Sequence, residues 1–483
     1  MSNPIKSLFG EVAIYGLSSI IGRFLNYLLV PLYTYIFVNP AEYGVVSELY
    51  AWVAFLIVLL TFGMETAFFR FVQQDKDKEN VFSTGLSALL SLNTVFFFLI
   101  LLFNEEIASL LLYKGHGEYI ILLGAIVAID AICALPLAKL RVEEKAKRFS
   151  IIQLSSIGVN ILLNLIFLLV FFSPQHPEEG VLYIFIANLI ASLVKPLLLF
   201  RSFRMVSGID WSLLKRMTLY SFPLAIAGFA GIINETLDRI LLKQILFDPS
   251  TPSSLEYAES QVGIYSASYK LAMLVAILLQ AYRYAAEPFF FRQMKSVDRN
   301  KIYAQIMNVF IALVCGVFLL VTLNIDLFKY FIQNETYWVG LQVVPILLMA
   351  NIFLGIYYNQ SIWYKLSGKT KFGAYIALTG AGVTVLINVL YIPEYGYMAS
   401  AWATLIVYFL QMVMSYILGQ RHYPIPYNLS KFVFYIGLAL ILYFISPYLQ
   451  VDNFMLNFVA QNSLLIMFIT VVVMLERKPK VAS

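Results

Sequence analysis

The chain has 483 residues, 60% of them hydrophobic and only 13% charged, with a formal net charge of +5 and a mean hydropathy of +0.79. Soluble globular proteins carry about 25% charged residues, and no stretch here is polar enough to cover a soluble domain. The composition argues against a nucleic-acid binder, a secreted disulfide scaffold and a cytosolic enzyme, and it predicts a polytopic helical membrane protein.

A membrane-spanning helix needs about 20 predominantly apolar residues. Runs of that length predict about fourteen helices, near 11–37, 45–70, 81–103, 117–140, 150–172, 181–200, 216–246, 264–291, 301–323, 341–364, 372–392, 398–419, 430–448 and 455–475. The first run is too long for the core of a cleavable leader and carries Arg23 within it. Breaks fall at turn chemistry: Asn39-Pro40, Ser173-Pro174, Asp248-Pro249, Pro393-Glu394 and Pro424-Ile425-Pro426. The runs are continuous rather than alternating, so membrane strands are not expected. The connections near 247–263 and 324–340 are too short to form a catalytic domain. Cys133 and Cys315 lie inside apolar runs, and His116, His176 and His422 fall in separate connections. Neither a disulfide framework nor metal-ligand spacing results, and no metal or cofactor is expected.

Basic residues set the orientation. With the N-terminus, the even-to-odd connections and the C-terminus on one side, about 25 of the 33 Lys and Arg fall there. Only Lys114 and Lys329 fall opposite. Both termini are therefore expected in the cytoplasm.

Four patterns recur in the same order at a separation of about 216–224 residues. Gly44-x-x-Ser47-x-x-Tyr50 is matched by Gly263-x-x-Ser266-x-x-Tyr269, and Glu65-Thr-Ala-Phe-Phe-Arg70 by Glu287-Pro-Phe-Phe-Phe-Arg292. Gly158-Val159-x-x-Leu162-x-Asn164 is matched by Gly382-Val383-x-x-Leu386-x-Asn388. The motif Pro177-Glu178-x-Gly180 has its counterpart in Pro393-Glu394-x-Gly396. An offset of six helices makes the halves parallel repeats, whose interface is where a substrate path is expected. The expected organisation is an N-lobe at 1–210 (helices 1–6), a C-lobe at 211–425 (helices 7–12), and helices 13–14 with a tail at 426–483.

A charged side chain at mid-bilayer costs about 2.5–3.5 kcal/mol on insertion scales. Nine such residues fall on spans one, two, seven and eight: Arg23, Glu65, Glu235, Asp238, Arg239, Lys243, Lys270, Arg283 and Glu287. Asp130 and Lys195 lie elsewhere. Nine lipid-facing charges would cost about 20–30 kcal/mol, so a hydrated cavity lined by these repeat-equivalent helices is expected. Arg23 has no acid within one turn and needs a partner from elsewhere. Glu235 and Arg239, four apart, form an ion pair on one helix or face substrate. Glu65 and Asp130 are either titratable coupling sites or structural partners of an arginine, and Asp238 is a further coupling candidate. Lys270 faces the cavity or snorkels outward, and Lys195 beside Pro196 reads as a snorkelling residue at a kink. Asp75-Lys-Asp77 reads as a solvated loop.

Gly-Leu-Ser-Ser-Ile-Ile-Gly-Arg at 16–23, Ala-Glu-Tyr-Gly at 41–44, Gly-Met-Glu-Thr-Ala-Phe-Phe-Arg at 63–70, Tyr-Ser-Phe-Pro at 220–223, Leu-Asp-Arg at 237–239 and Val-Gly-Ile-Tyr-Ser at 262–266 together resemble one family. It is the polysaccharide-transporter branch of the multidrug/oligosaccharidyl-lipid/polysaccharide exporter superfamily. The resemblance spans nearly the whole chain. It implies two six-helix lobes around a central cationic cavity, and two added helices like the pair that holds a lipid tail in lipid II flippases. It implies a flippase that moves polyprenyl-pyrophosphate-linked oligosaccharide units from the cytoplasmic to the periplasmic leaflet of a bacterial inner membrane. Membrane lipid and the polymerase and glycosyltransferases of the same pathway are the implied partners. Arg23 sits where lipid II flippases carry a cavity arginine, but the other arginines do not match them.

The residue chemistry points the same way. Arginine forks bind phosphate bidentately, and Arg23, Arg283, Lys270 and Arg239 are the expected pyrophosphate site. Glu65, Asp130 and Asp238 are the expected ion- or proton-coupling groups. No bond is made or broken, so no catalytic residue is expected. A cation-coupled multidrug exporter is the nearest alternative, and would want an acidic, aromatic cavity. A membrane glycosyltransferase or polymerase would need a larger external loop than any here.

Overall fold

The computed structural model describes residues 21–476 except Lys76, Met205, Ser207 and 294–296. The start of the first span, with the 16–20 part of its motif, and the basic tail at 477–480 lie outside the described residues. Every described element is helical. Helix α1, described from residue 21, continues through a turn at Leu28 into Leu29–Ile36. Among the described residues thirteen further helices are long and apolar enough to cross a membrane. They are α2 (Pro40–Gln74), α3 (Lys78–Leu110), α4 (Gly117–Val142), α5 (Ala146–Phe171), α6 (Pro177–Phe203) and α7 (Trp211–Leu246). After them come α8 (Ser254–Gln293), α9 (Arg299–Leu323), α10 (Glu335–Leu366), α11 (Lys371–Tyr395), α12 (Tyr397–His422), α13 (Leu429–Leu449) and α14 (Phe454–Glu476). Each coincides with one predicted span, so the chain is an all-α, multi-pass membrane protein.

Local chemistry sets the helix starts. The Asn39 side chain accepts from the Ala41 N–H (3.2 Å), with Pro40 in the first turn, where its missing donor costs nothing. Asp77 caps α3 through the Asn80 N–H, Asp210 caps α7 through the Leu213 N–H, and Asn428 caps α13 through the Lys431 N–H, each at 3.0 Å. Helix α2 is interrupted at Phe62 and Gly63, both left-handed (φ +49° and +66°), and restarts at Met64. There Gly63 lies against the Ser221 backbone of α7.

The apolar windows fall short of the helix ends at α2, α3, α8 and α10. The first turns of α8, from Ser254, are polar and fall within the expected 247–263 connection. The 324–340 connection is itself largely helical, with a 3-10 segment, Glu335–Val343, leading into α10. Hydropathy detects the lipid-facing part of a helix, not its wet ends.

The described residues pack as two compact units, those within 1–266 with 384–397, and those within 267–383 with 398–483. The lobes expected at 1–210, 211–425 and 426–483 follow the sequence repeat rather than this packing. In the first unit, Met64 and Phe68 of α2, Phe82 and Leu86 of α3, Leu135 of α4, and Leu213 and Met217 of α7 form one buried cluster. In the second, Phe290 of α8, Tyr303 of α9, Ile362 of α10 and Ile425 share a core. Helix α14 is fixed to α13 by Lys431 and Tyr435, each 2.6 Å from Glu476, and to the end of α9 by the Asn324–Asn462 amide pair. Phe98, Leu101, Leu102 and Phe103 of α3 are exposed, as expected of a lipid-facing surface.

Candidate functional site

Within the first unit, helices α1, α4, α5 and α6 surround a cavity of about 310 Å3. Arg23 and Asn26 come from α1, Asp130 from α4, Gln153 and Asn160 from α5, and Asn188 and Lys195 from α6. Lys195 Nζ lies 2.8 Å from Asp130 Oδ1, with both side chains partly accessible. The snorkelling lysine is thus the partner of the isolated mid-span aspartate. Asn188 is oriented by donating to Tyr50 Oη at 2.7 Å, and Asn160 Oδ1 accepts from Asn164. Among the described residues no carboxylate pairs with Arg23, and Asn26 and Gln153 make no hydrogen bond. Three polar groups, uncommitted among the described residues, line the same cavity as a committed ion pair. The bilayer offers such groups nothing, so they must line a wet space or contact a ligand.

A second constellation forms at the end of the first unit that carries the 37–39, 111–116 and 247–253 connections. Lys243 of α7 lies 3.1 Å from Glu48 of α2 and 3.3 Å from Glu259 of α8, with Lys243 and Glu48 both 0% exposed. Its ammonium also donates to the Leu111 carbonyl at 3.0 Å and sits over the Tyr113 ring, 3.1 Å from the centroid. The Tyr113 hydroxyl and the Trp52 indole N–H donate to the Glu48 carboxylate. A buried ion is tolerated only when its hydrogen-bonding capacity is filled in this way. Just beside it α2 and α8 touch. A Cβ on Gly44 would fall 1.9 Å from the Glu259 carbonyl oxygen, and one on Gly263 would fall 1.9 Å from that of Pro40. Each glycine thus meets the carbonyl four residues before the other. The two helices cross about a local two-fold, and the glycines at the crossing are the pair matched by the sequence repeat.

The remaining predicted residues are dispersed. Arg239 is buried, with Nη1 3.1 Å from Asp238 Oδ1 and 2.9 Å from the Glu235 carbonyl oxygen, while the Glu235 side chain is exposed. The expected Glu235–Arg239 pairing is thus replaced by Asp238, which also accepts from Tyr265 Oη at 2.7 Å. The Arg239 guanidinium, one of the four cations expected at the pyrophosphate, is engaged here by Asp238 and the Glu235 carbonyl. Glu65 is paired with Arg141, both side chains well exposed. In the second unit, Lys270 is half-buried on α8, and the Arg283 guanidinium stacks over the Tyr358 ring at 4.1 Å, next to the Tyr282–Asn359 hydrogen bond. Lys270 and Arg283 stand thirteen positions apart on one helix, about 20 Å along its axis. The Glu287 side chain lies outside the described residues.

Sequence reasoning misses Glu48 and Glu259. Glu48 stands inside the predicted 45–70 span, where its charge is the available signal. Glu259 stands in an expected connection and gives none.

The sequence profile of the family described as polysaccharide biosynthesis protein matches residues 8–294, more than half of the chain. No curated protein matches the sequence. Among solved structures, the chain is similar to one described as lipid II flippase MurJ, inward closed conformation, with a TM-score of 0.68, 14% identity, and coverage of 95% of this chain and 98% of that one. It is also similar to an inward-facing multidrug resistance MATE family transporter of the MOP superfamily, with a TM-score of 0.64, 15% identity, and coverage of 85% and 94%. At these identities the likeness shows a shared fold.

Proposed function

Since the chain belongs to the polysaccharide biosynthesis protein family, we propose that it is a flippase for polyprenyl-pyrophosphate-linked oligosaccharide units. It carries them from the cytoplasmic to the periplasmic leaflet of a bacterial inner membrane, with both termini cytoplasmic. The observation that carries this reading is Arg23, a cation of the first apolar run on the wall of a polar cavity, with no paired carboxylate among the described residues. Charge in that position has a function or is selected against. Two six-helix lobes, 1–210 and 211–425, alternate access, with helices 13–14 attached to the second.

The substrate-facing cations are Arg23, Arg283 and Lys270. The two on α8 act as successive stations about 20 Å apart, Arg283 nearer the cytoplasm and Lys270 nearer the periplasm. An arginine fork favours phosphate oxygens, and a lysine between stations holds them less geometrically. The coupling role narrows from Glu65, Asp130 and Asp238 to Asp130, which lines the cavity beside Arg23. The sealed Glu48–Lys243–Glu259 cluster closes the periplasmic ends of α2, α7 and α8, and the Gly44–Gly263 crossing is the contact that must part for outward release. The sugars travel in the wet space while the polyprenyl tail stays in lipid. The flipped product passes to a polymerase and its glycosyltransferase partners.

In cells, Arg23→Ala and Arg283→Ala should each lower surface polysaccharide while protein remains in the membrane. Wild-type polysaccharide in both variants removes these residues from the transport path. Efflux of cationic drugs without any change in polysaccharide would favour a multidrug exporter instead.

A further inference from the structure

We infer that the cavity between α1, α4, α5 and α6 is a saccharide subsite that takes one sugar residue bearing a negative charge, with Arg23 as the group that selects the charge. The inference rests on the flippase reading and specifies which part of the substrate meets Arg23: the sugar rather than the pyrophosphate.

Donors and acceptors distinguish the two parts of the substrate. A pyrophosphate offers acceptors only, so its site should present donors only. This cavity does not. Asp130 brings a carboxylate, and Asn26, Gln153, Asn160 and Asn188 each bring a carbonyl oxygen beside an amide donor. The Asp130 carboxylate would repel phosphate oxygens, whereas the carboxamides can turn donors or acceptors to a ligand. A sugar, by contrast, carries hydroxyls that donate and accept at neighbouring carbons, and carboxamides present the same pair of functions side by side. The size agrees. A cavity of about 310 Å3 is at the lower limit of small-molecule sites and has room for one sugar residue.

Charge then narrows the sugar. Asp130 is neutralised by Lys195 at 2.8 Å, so Arg23 is left as one net positive charge on the wall. A carboxylate on the ring, as in a hexuronic acid, would meet it with a charge-assisted fork. The Asp130–Lys195 pair would serve the ring hydroxyls, one as acceptor and the other as donor. Asn26 and Gln153, which make no hydrogen bond among the described residues, would gain partners they otherwise lack.

The test uses the purified full-length chain in nanodiscs, with glucuronate, glucose and inorganic pyrophosphate as probes in saturation-transfer NMR titrations. Glucuronate should bind more tightly than glucose, and pyrophosphate should not displace it. In Arg23→Gln, glucuronate affinity should fall about tenfold or more while glucose is unchanged. In Gln153→Leu, both sugars should weaken. Arg23 is exposed and neither change should affect folding, which the thermal midpoint verifies. Displacement of glucuronate by pyrophosphate, or loss of pyrophosphate rather than glucuronate binding in Arg23→Gln, overturns the inference and leaves the flippase reading standing. Arg23-dependent glucuronate binding by a chain that flips no lipid-linked oligosaccharide would defeat the flippase reading and leave the subsite intact.

Discussion

Two ion clusters in the same packing unit make opposite use of a lysine. Lys243 is enclosed completely, with two carboxylates, a backbone carbonyl and an aromatic face filling every direction around its ammonium. Lys195 holds a single carboxylate, Asp130, at the wall of a cavity where Arg23, Asn26 and Gln153 are uncommitted among the described residues. Both lysines sit on membrane helices and both are paired, so neither charge nor pairing separates them. What separates them is satisfaction. The first cluster has nothing left to offer a ligand and reads as a joint between helices; the second has donors and acceptors to spare and reads as a binding site.

That contrast can be broken most severely at the joint. Lys243→Met should leave Glu48 and Glu259 buried without their cation, at a cost of about 3–5 kcal/mol. The thermal midpoint in detergent and the folded yield should both drop. Combining Lys243→Met with Glu48→Gln should recover part of the loss, because the two residues share one network. A full additive loss would show that they are not coupled.

The glycine crossing gives the next largest effect. Gly44→Ala and Gly263→Ala each place a methyl group on a backbone carbonyl, which no rotamer change relieves. Each should destabilise the α2–α8 contact, and the local two-fold requires the two losses to be similar. Thermal midpoints of the two variants measure this, and a marked asymmetry between them would show that the pseudo-symmetry is only sequence deep.

At the cavity the expectation reverses: small effects on stability and large effects on transport. Asp130→Asn should cost about 1 kcal/mol or less, since both partners are partly solvated, yet it should lower transport in proteoliposomes. If stability collapses and transport per folded molecule holds, the pair is a structural joint like that at Lys243, and the contrast disappears.

The smallest effect concerns the exposed cap of α7. The Leu213 N–H and the Asn80 amide hold the Asp210 carboxyl below the usual carboxylate range. A carboxyl with a depressed folded-state pKa contributes stability above its unfolded pKa and loses it as pH falls through the folded value. Asp210→Asn should therefore flatten the acid side of the stability profile slightly and leave neutral pH nearly unchanged. The thermal midpoint as a function of pH measures this.

Much of the fold is legible in the sequence because a bilayer imposes length and apolarity on each span, and turn residues such as Asn39-Pro40 mark the ends. The repeat is legible too, and it leads to Gly44 and Gly263, whose meaning emerges only when they are found against each other. The sites are harder to read. Spacing on one helix suggests Glu235 for Arg239, but the buried guanidinium turns to Asp238 and to a backbone carbonyl. Glu259 lies in polar sequence that hydropathy assigns to a connection. The setting of Arg23 depends on residues from α4, α5 and α6, and no periodicity within α1 encodes them.

The most direct test of the central claim is a leaflet-accessibility assay in proteoliposomes containing a polyprenyl-pyrophosphate-linked oligosaccharide. Wild-type chain should expose the inner-leaflet saccharide to an external probe enzyme well above the protein-free rate, and Arg23→Ala, folded to the same extent, should return that rate to near background. Equal exposure with and without the wild-type chain, or full activity in Arg23→Ala, would contradict it.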